Sequence, residues 1–246
     1  MSSNRGICQL CRQEKKLIKS HVIPKCFHKN MKADTNSYFL VHLNPLSSQT
    51  IGDCLFDKNI LCASCDNSFS SDEKYTSIFF ESLRSSKNQK EIESSQVDAI
   101  SVKADIYHIK NCLLSILWRM SISKRLTNGL VHLKEKESIL AQRLNDPKIL
   151  DPTFFPFTIY SLRNAEFDPR SQFLCGTAHV SSFKNHDIYL LHIPDFFIFF
   201  HANETLNQHI LPASYIDDQN ISIIEAPTNE ILYFLNMIYK DLSNII

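Results

Sequence analysis

Two Cys-x2-Cys pairs, Cys8-Gln-Leu-Cys11 and Cys62-Ala-Ser-Cys65, constrain this chain more than any other feature. Four thiolates drawn from two such pairs satisfy the tetrahedral demand of Zn²⁺ and leave no open coordination position, so the site they predict is structural. A structural zinc contributes on the order of 10 kcal/mol to the folding of a small unit. The chain must therefore return on itself to bring the two pairs together, with metal standing in for part of a core. The remaining thiols near this segment, Cys26 and Cys54, read as free cysteines. Met-Ser-Ser-Asn-Arg runs into Cys8 with no apolar stretch of a signal peptide, so the expected compartment is the cytoplasm. There, paired cysteines serve as metal ligands rather than as disulfides.

A length of 246 residues with 43% hydrophobic and 21% charged residues excludes a disordered chain and allows a small domain beside a larger one. No run approaches the ~20 apolar residues of a membrane span. The most apolar stretch, Ile188 to Ala202, is broken by His192, Pro194 and Asp195, so no membrane partner is expected. The balanced net charge hides a separation. Residues 1–35 carry eight basic and two acidic residues, whereas residues 187–246 carry one basic and eight acidic. A basic N-terminal lobe attracts phosphates, and an acidic C-terminal region repels them or meets a basic protein partner. With four glycines the chain has no Gly-rich phosphate loop.

The pattern divides near residue 90. Residues 1–90 read as knuckle, short strand, turn, strand, knuckle and helix, with Tyr38–Leu43 a strand and one helix from Asp66 through Leu83. Ser85 to Ser95 reads as a polar linker. Residues 91–246 read as a mixed α+β domain with a regulatory or partner-binding role. It begins with an amphipathic helix at 104–123 and a second helix at 134–145 stopped before Pro147. Strands follow at 157–162, 173–181, 188–193, 196–201 and 221–224, then a closing helix at 229–243. Phe196-Phe197-Ile198-Phe199-Phe200 is apolar on both faces with no interleaved basic residue, the pattern of a core strand rather than a base-stacking platform. Trp118-Arg119 also reads as packing. The expected fold class is α+β.

Between the knuckles stands Ser20-His21-Val22-Ile23-Pro24, and before the second knuckle Asn59-Ile60-Leu61. Cys-x2-Cys, a short spacer, His-Val-Ile-Pro, then Asn-Ile-Leu-Cys-x2-Cys-Asp-Asn resembles the zinc-stapled HNH endonucleases, and in particular uncharacterised bacterial HNH-like proteins. The resemblance covers roughly residues 7–75. It implies a ββα-metal module that hydrolyses phosphodiester bonds of nucleic acid, with DNA the expected substrate. Members fused to further domains often act in bacterial defence against phage, and the resemblance extends that expectation to this chain.

Carried across by position, His21 matches the family's general base, an imidazole whose pKa suits proton transfer near neutral pH. Asp66 stands where the family places a metal ligand, and its carboxylate suits Mg²⁺ or Mn²⁺. Asn59 matches the residue that orients the base loop, with Asp57 competing for that register. Ser20 replaces the usual metal-binding acid. Either it holds a metal-bound water, or the second ligand comes from Glu73 or Asn67 on the following helix. Lys15, Lys16, Lys19, Lys25, Lys29 and Lys32 flank His21 and are the expected phosphate contacts, favouring salt-sensitive binding of low sequence specificity. The alternative reading is a zinc-knuckle protein that binds nucleic acid, or serves as an adaptor, without cleaving it.

Overall fold

The computed structural model of the chain describes residues 4–28, 38–43, 46–51, 55–85, 91–92, 99–124, 131–146, 154–161, 173–175, 178–183, 186–193, 195–201, 215–217 and 220–225. The chain opens as a hairpin in which Arg5–Ile7 (β1) pairs antiparallel with Glu14–Lys16 (β2). Gly6 lets this strand lie close to Leu17: a Cβ at this position would stand 2.9 Å from Leu17 Cδ1 and push that side chain aside. Ser20–His21 (β3) leads into the buried Val22, Ile23 and Pro24 and a 3-10 turn at Lys25–His28. Tyr38–Leu43 (β4) and Leu46–Ile51 (β5) form a second hairpin. Phe56–Asp57 (β6) then returns to pair antiparallel with β3, Ser20 opposite Asp57 and His21 opposite Phe56.

Two helices follow where one was expected. Ala63–Asn67 (α1) ends at a turn, and Ser70–Ser85 (α2) starts beyond it. Asn67 and Ser68 compete locally for backbone hydrogen bonds and are weak helix formers. Ser68 Oγ donates to the Cys65 carbonyl at 2.8 Å, and the turn drives Phe69 to 1% exposure. The break lets Cys65 face the cysteine cluster while Phe69 faces the core.

Glu91–Ile92 (β7) and Ala99–Lys103 (β8) precede Ile106–Ile122 (α3), whose N-cap Asp105 accepts from the Tyr107 N–H. Lys136–Asn145 (α4) follows. The remaining strands are Phe157–Ser161 (β9), Phe173–Cys175 (β10), Ala178–Phe183 (β11), His186–Ile193 (β12), Phe196–His201 (β13), Tyr215–Asp217 (β14) and Asn220–Glu225 (β15). The large sheet has the order β11-β12-β13-β9-β15-β8-β7, with β14 beside β15. Its pairings are antiparallel except β15 with β9, and β10 joins β4 in parallel. The fold is mixed α+β. In β13, Phe196, Phe197, Ile198 and Phe200 are all buried, as a strand covered on both faces requires. Of the expected linker, Ser85 closes α2 and Glu91–Ile92 lies in a strand; the rest is outside the described residues. The expected helix at 229–243 lies outside the described residues.

One contiguous apolar core runs from Leu17 and Val22 through Phe80, Leu113 and Trp118 to Phe196 and Ile223. It crosses residue 90: the Phe80 and Phe196 ring centroids are 4.9 Å apart.

Candidate functional site

The first knuckle closes because Arg12 adopts a left-handed conformation, φ 59°. Its N–H reaches the Cys8 carbonyl at 2.9 Å, and the Cys8 N–H reaches the Gln13 carbonyl at 3.0 Å. The second knuckle is laid against the first by two backbone hydrogen bonds, from the Gln9 N–H to the Ile60 carbonyl and from the Ile18 N–H to the Leu61 carbonyl. Cys62 then sits at the N-cap of α1, and its N–H points to Cys8 Sγ at 3.4 Å. As a result the sulfur atoms of Cys8, Cys11, Cys62 and Cys65 all lie within 4.8 Å of one another. Four soft thiolates at this separation fit a metal such as zinc, whose Zn–S bonds of about 2.3 Å set the sulfurs just under 4 Å apart. Burial raises the Cys62 thiol, but the Ser64 hydroxyl at 3.2 Å and the neighbouring amide and thiols outweigh it and bring the group down to about 6. Burial and the same shared protons push Cys65 up. A cluster of this kind surrenders its remaining protons as a metal binds.

Beside the cluster, the β3–β6 ribbon faces α1 and α2. Opposed residues of an antiparallel pair share a face, so Ser20 and Asp57 lie on one side and His21 and Phe56 on the other. The burial agrees: Ser20 and Asp57 are buried, His21 and Phe56 half-buried. Ser20 Oγ donates to Asp66 Oδ1 at 2.5 Å, joining residues from β3 and the first helical turn after the second knuckle. Glu73, one fifth exposed, follows on α2. Its desolvation raises the carboxyl pKa, Arg119 lowers it, and the nearby charges of Asp66 and Asp72 raise it again.

Arg119 enters this site from α3 and was not expected there. It is 1% exposed. Its Nη1 donates to the His21 carbonyl at 2.7 Å and its Nη2 to Glu73 Oε1 at 2.8 Å. On the neighbouring face of α2, Asp72 meets His108 Nδ1 at 2.6 Å and accepts from the Asn111 amide, tying α2 to α3 a second time.

The other expected residues separate. Asn59 is exposed and contributes its backbone N–H, which donates to Asp57 Oδ1 at 2.9 Å. Asp57 is the residue that fixes the loop: its Oδ2 also accepts from Ser123 Oγ and from the Lys124 N–H, each at 3.1 Å. Asn67 is exposed at the end of α1. Cys26 is half-buried, its Sγ 3.8 Å from the Glu73 carbonyl, and burial raises its pKa. Lys15 is half-buried, and Lys16, Lys19 and Lys25 are exposed. Lys29, Lys32 and Cys54 lie outside the described residues. Lys19 Nζ stands 3.9 Å from the Phe56 ring centroid, and Lys58 Nζ stands 6.0 Å from the same ring. Phe56 and Lys58, like Arg119, carry no signal in the sequence that separates them from ordinary strand and turn residues.

Fold and site together define a mixed α+β protein with a four-cysteine cluster able to hold a metal, bordered by a polar junction of Ser20, Asp66, Glu73 and Arg119. No helix among the described residues is long and apolar enough to cross a membrane. No family model, curated protein or solved structure matches the chain.

Proposed function

We propose that the chain is a metal-dependent endonuclease of HNH type that hydrolyses phosphodiester bonds, with DNA as substrate. The observation that carries the reading is the meeting of Ser20 and Asp66 at 2.5 Å, where a short antiparallel ribbon holding His21 meets the helix leaving a four-cysteine cluster. A ribbon and a helix beside a cysteine cluster resemble the parts of a ββα-metal module.

In this reading the zinc is purely structural and Asp66 with Glu73 would hold one Mg²⁺ or Mn²⁺. When bound, that cation neutralises charge developing on the scissile phosphate and the leaving oxygen. His21 accepts a proton from water as the water oxygen bonds to phosphorus. The P–O3′ bond breaks with its electron pair going to O3′, which takes a proton from solvent water, leaving a 5′-phosphate and a 3′-hydroxyl. Consecutive residues of an extended strand point in opposite directions, so His21 would act from the ribbon face opposite the Ser20–Asp66 contact. Lys19 and Lys58 beside the half-buried Phe56 supply cations on the His21 face for the phosphate backbone. A role in phage defence rests on the resemblance, and a protein partner for the acidic C-terminal region rests on charge.

What favours the alternative of a binding module without catalysis is the residue type at position 20, a neutral hydroxyl that is a weaker cation ligand than a second acid. Plasmid incubated with Mn²⁺ separates the two. The nuclease reading predicts nicking by the native chain and its loss in His21→Ala, with zinc content and DNA binding retained. Equal inertness of both proteins, with steep salt-dependent DNA binding by both, would establish the alternative.

A further inference from the structure

We infer that Arg119 is a positioning residue of the candidate site, fixing the strand that carries His21 to the carboxylate of Glu73. This inference rests on the nuclease reading for its consequence in catalysis, but the positioning itself is a property of the folded chain.

Three observations converge on it. First, the guanidinium spends its donors on both sides of the junction at once: Nη1 on the His21 carbonyl at 2.7 Å and Nη2 on Glu73 Oε1 at 2.8 Å. Second, it is itself held. Nε donates to the Ser115 carbonyl at 3.2 Å, Nη2 to Ser115 Oγ at 3.0 Å, and the Phe69 ring lies 5.4 Å from the guanidinium carbon. A side chain fixed on its own helix and under an aromatic ring transmits a position instead of following one. Third, the same helix grips the other strand of the ribbon, because Ser123 Oγ and the Lys124 N–H at the end of α3 both donate to Asp57 Oδ2 at 3.1 Å. Both strands of the two-residue ribbon are therefore referenced to α3. A ribbon this short has too few ladder hydrogen bonds to set its own geometry.

Stability alone does not call for an arginine here. A buried ion pair is often replaced by packed apolar residues at no loss, since desolvation cancels much of the attraction. Leu117 and Trp118, fully buried beside it, show that this part of α3 already packs on apolar contact. The planar fork of arginine supplies what an apolar residue cannot, which is simultaneous, directional contact with a carbonyl and a carboxylate. Lysine keeps the charge and loses the fork.

The test compares the full-length native chain with Arg119→Lys, after both are shown to carry equal zinc and to melt at the same temperature. The first readout is the NMR signal of the His21 imidazole, assigned by its disappearance in His21→Ala. Arg119→Lys is expected to shift or double this signal while the other histidine signals stay in place. The second is the single-turnover rate of plasmid nicking in Mn²⁺, expected to fall about 10- to 100-fold at unchanged DNA affinity, the cost of a misplacement on the ångström scale. If Arg119→Lys does not fold as the native chain does, Ser115→Ala takes its place. That variant removes one anchor of the guanidinium, and a smaller shift of the same signal is expected. An unmoved His21 signal in a folded variant, or a loss of activity that only follows the folded fraction, overturns the inference. Failure of the nuclease reading looks different: the folded native chain, with full zinc, does not nick plasmid. The His21 signal then still decides the role of Arg119.

Discussion

At the residue scale, the Ser20 hydroxyl sets the chemistry of the junction. The hydroxyl donates to Asp66 at 2.5 Å, a contact two ionised carboxylates could not make without a cation between them. Ser20→Asp is therefore expected to destabilise the metal-free junction by on the order of 3 kcal/mol, as a buried unpaired charge does. Mn²⁺ should restore much of that loss. Denaturant unfolding with and without Mn²⁺ reads both effects, and a variant indifferent to Mn²⁺ would show that Ser20 and Asp66 do not face a cation site. Asp57 makes the opposite case. Its buried carboxylate serves three donors, from Asn59, Ser123 and Lys124, so Asp57→Ala should cost roughly 2–4 kcal/mol by stranding them. Equilibrium unfolding that finds a cost under about 1 kcal/mol would contradict this. The cysteine ligands were legible because metal spacing is local and specific. Arg119 was not: Leu117-Trp118-Arg119 has the look of a packed helix, and nothing in a linear sequence says that a guanidinium will span to a strand 98 positions earlier.

At the element scale, periodicity found α3, α4 and the strands β4, β9, β12, β13 and β15, but not β5 or β8, and two further differences have local causes. The single helix expected after the second knuckle is two, because the Ser68 hydroxyl and the burial of Phe69 turn the chain between Cys65 and Asp72. The strand expected at 173–181 appears as two elements in different sheets, β10 beside β4 and β11 beside β12. Alternation predicts a strand but not its partner. In the large sheet, β12 buries His192 fully against Phe197, and Nε2 has no hydrogen-bond partner among the described residues. Burial lowers its pKa from 6.5 to about 4. A depressed pKa gives stability that is present above 6.5 and is lost as pH falls through 4, because the unfolded chain binds the proton first. The full effect is on the order of 3 kcal/mol. His192→Leu should flatten the dependence of unfolding free energy on pH between about 6.5 and 4, judged against the native chain. Parallel slopes for the two proteins would mean that His192 is hydrated or paired in the fold.

At the scale of the whole molecule, the cysteine cluster organises the first segment, but α3 completes it. The core is continuous across residue 90, with Phe79, Phe80 and Leu83 of α2 buried in it and Arg119 and Ser123 returning to the β3–β6 ribbon. A fragment of residues 1–90 would expose that face of α2 and lose both grips on the ribbon. It is expected to bind zinc through its cysteines while giving poorly dispersed amide signals. A sharp, well-dispersed spectrum from the fragment would show that it folds alone. The division near residue 90 was drawn from a polar stretch and a change of pattern, and composition cannot report which helix faces cross it.

The proposed function requires a second cation site at Asp66 and Glu73, beside a four-cysteine cluster that holds zinc. Metal stoichiometry tests it most directly: zinc by elemental analysis and Mn²⁺ by electron paramagnetic resonance titration on the same sample of the full-length chain. The expected result is one zinc per chain, one further Mn²⁺, and selective loss of the Mn²⁺ in Asp66→Asn with zinc unchanged. A zinc-loaded chain that binds no Mn²⁺, or binds it equally well after Asp66→Asn, has no cation site at Asp66.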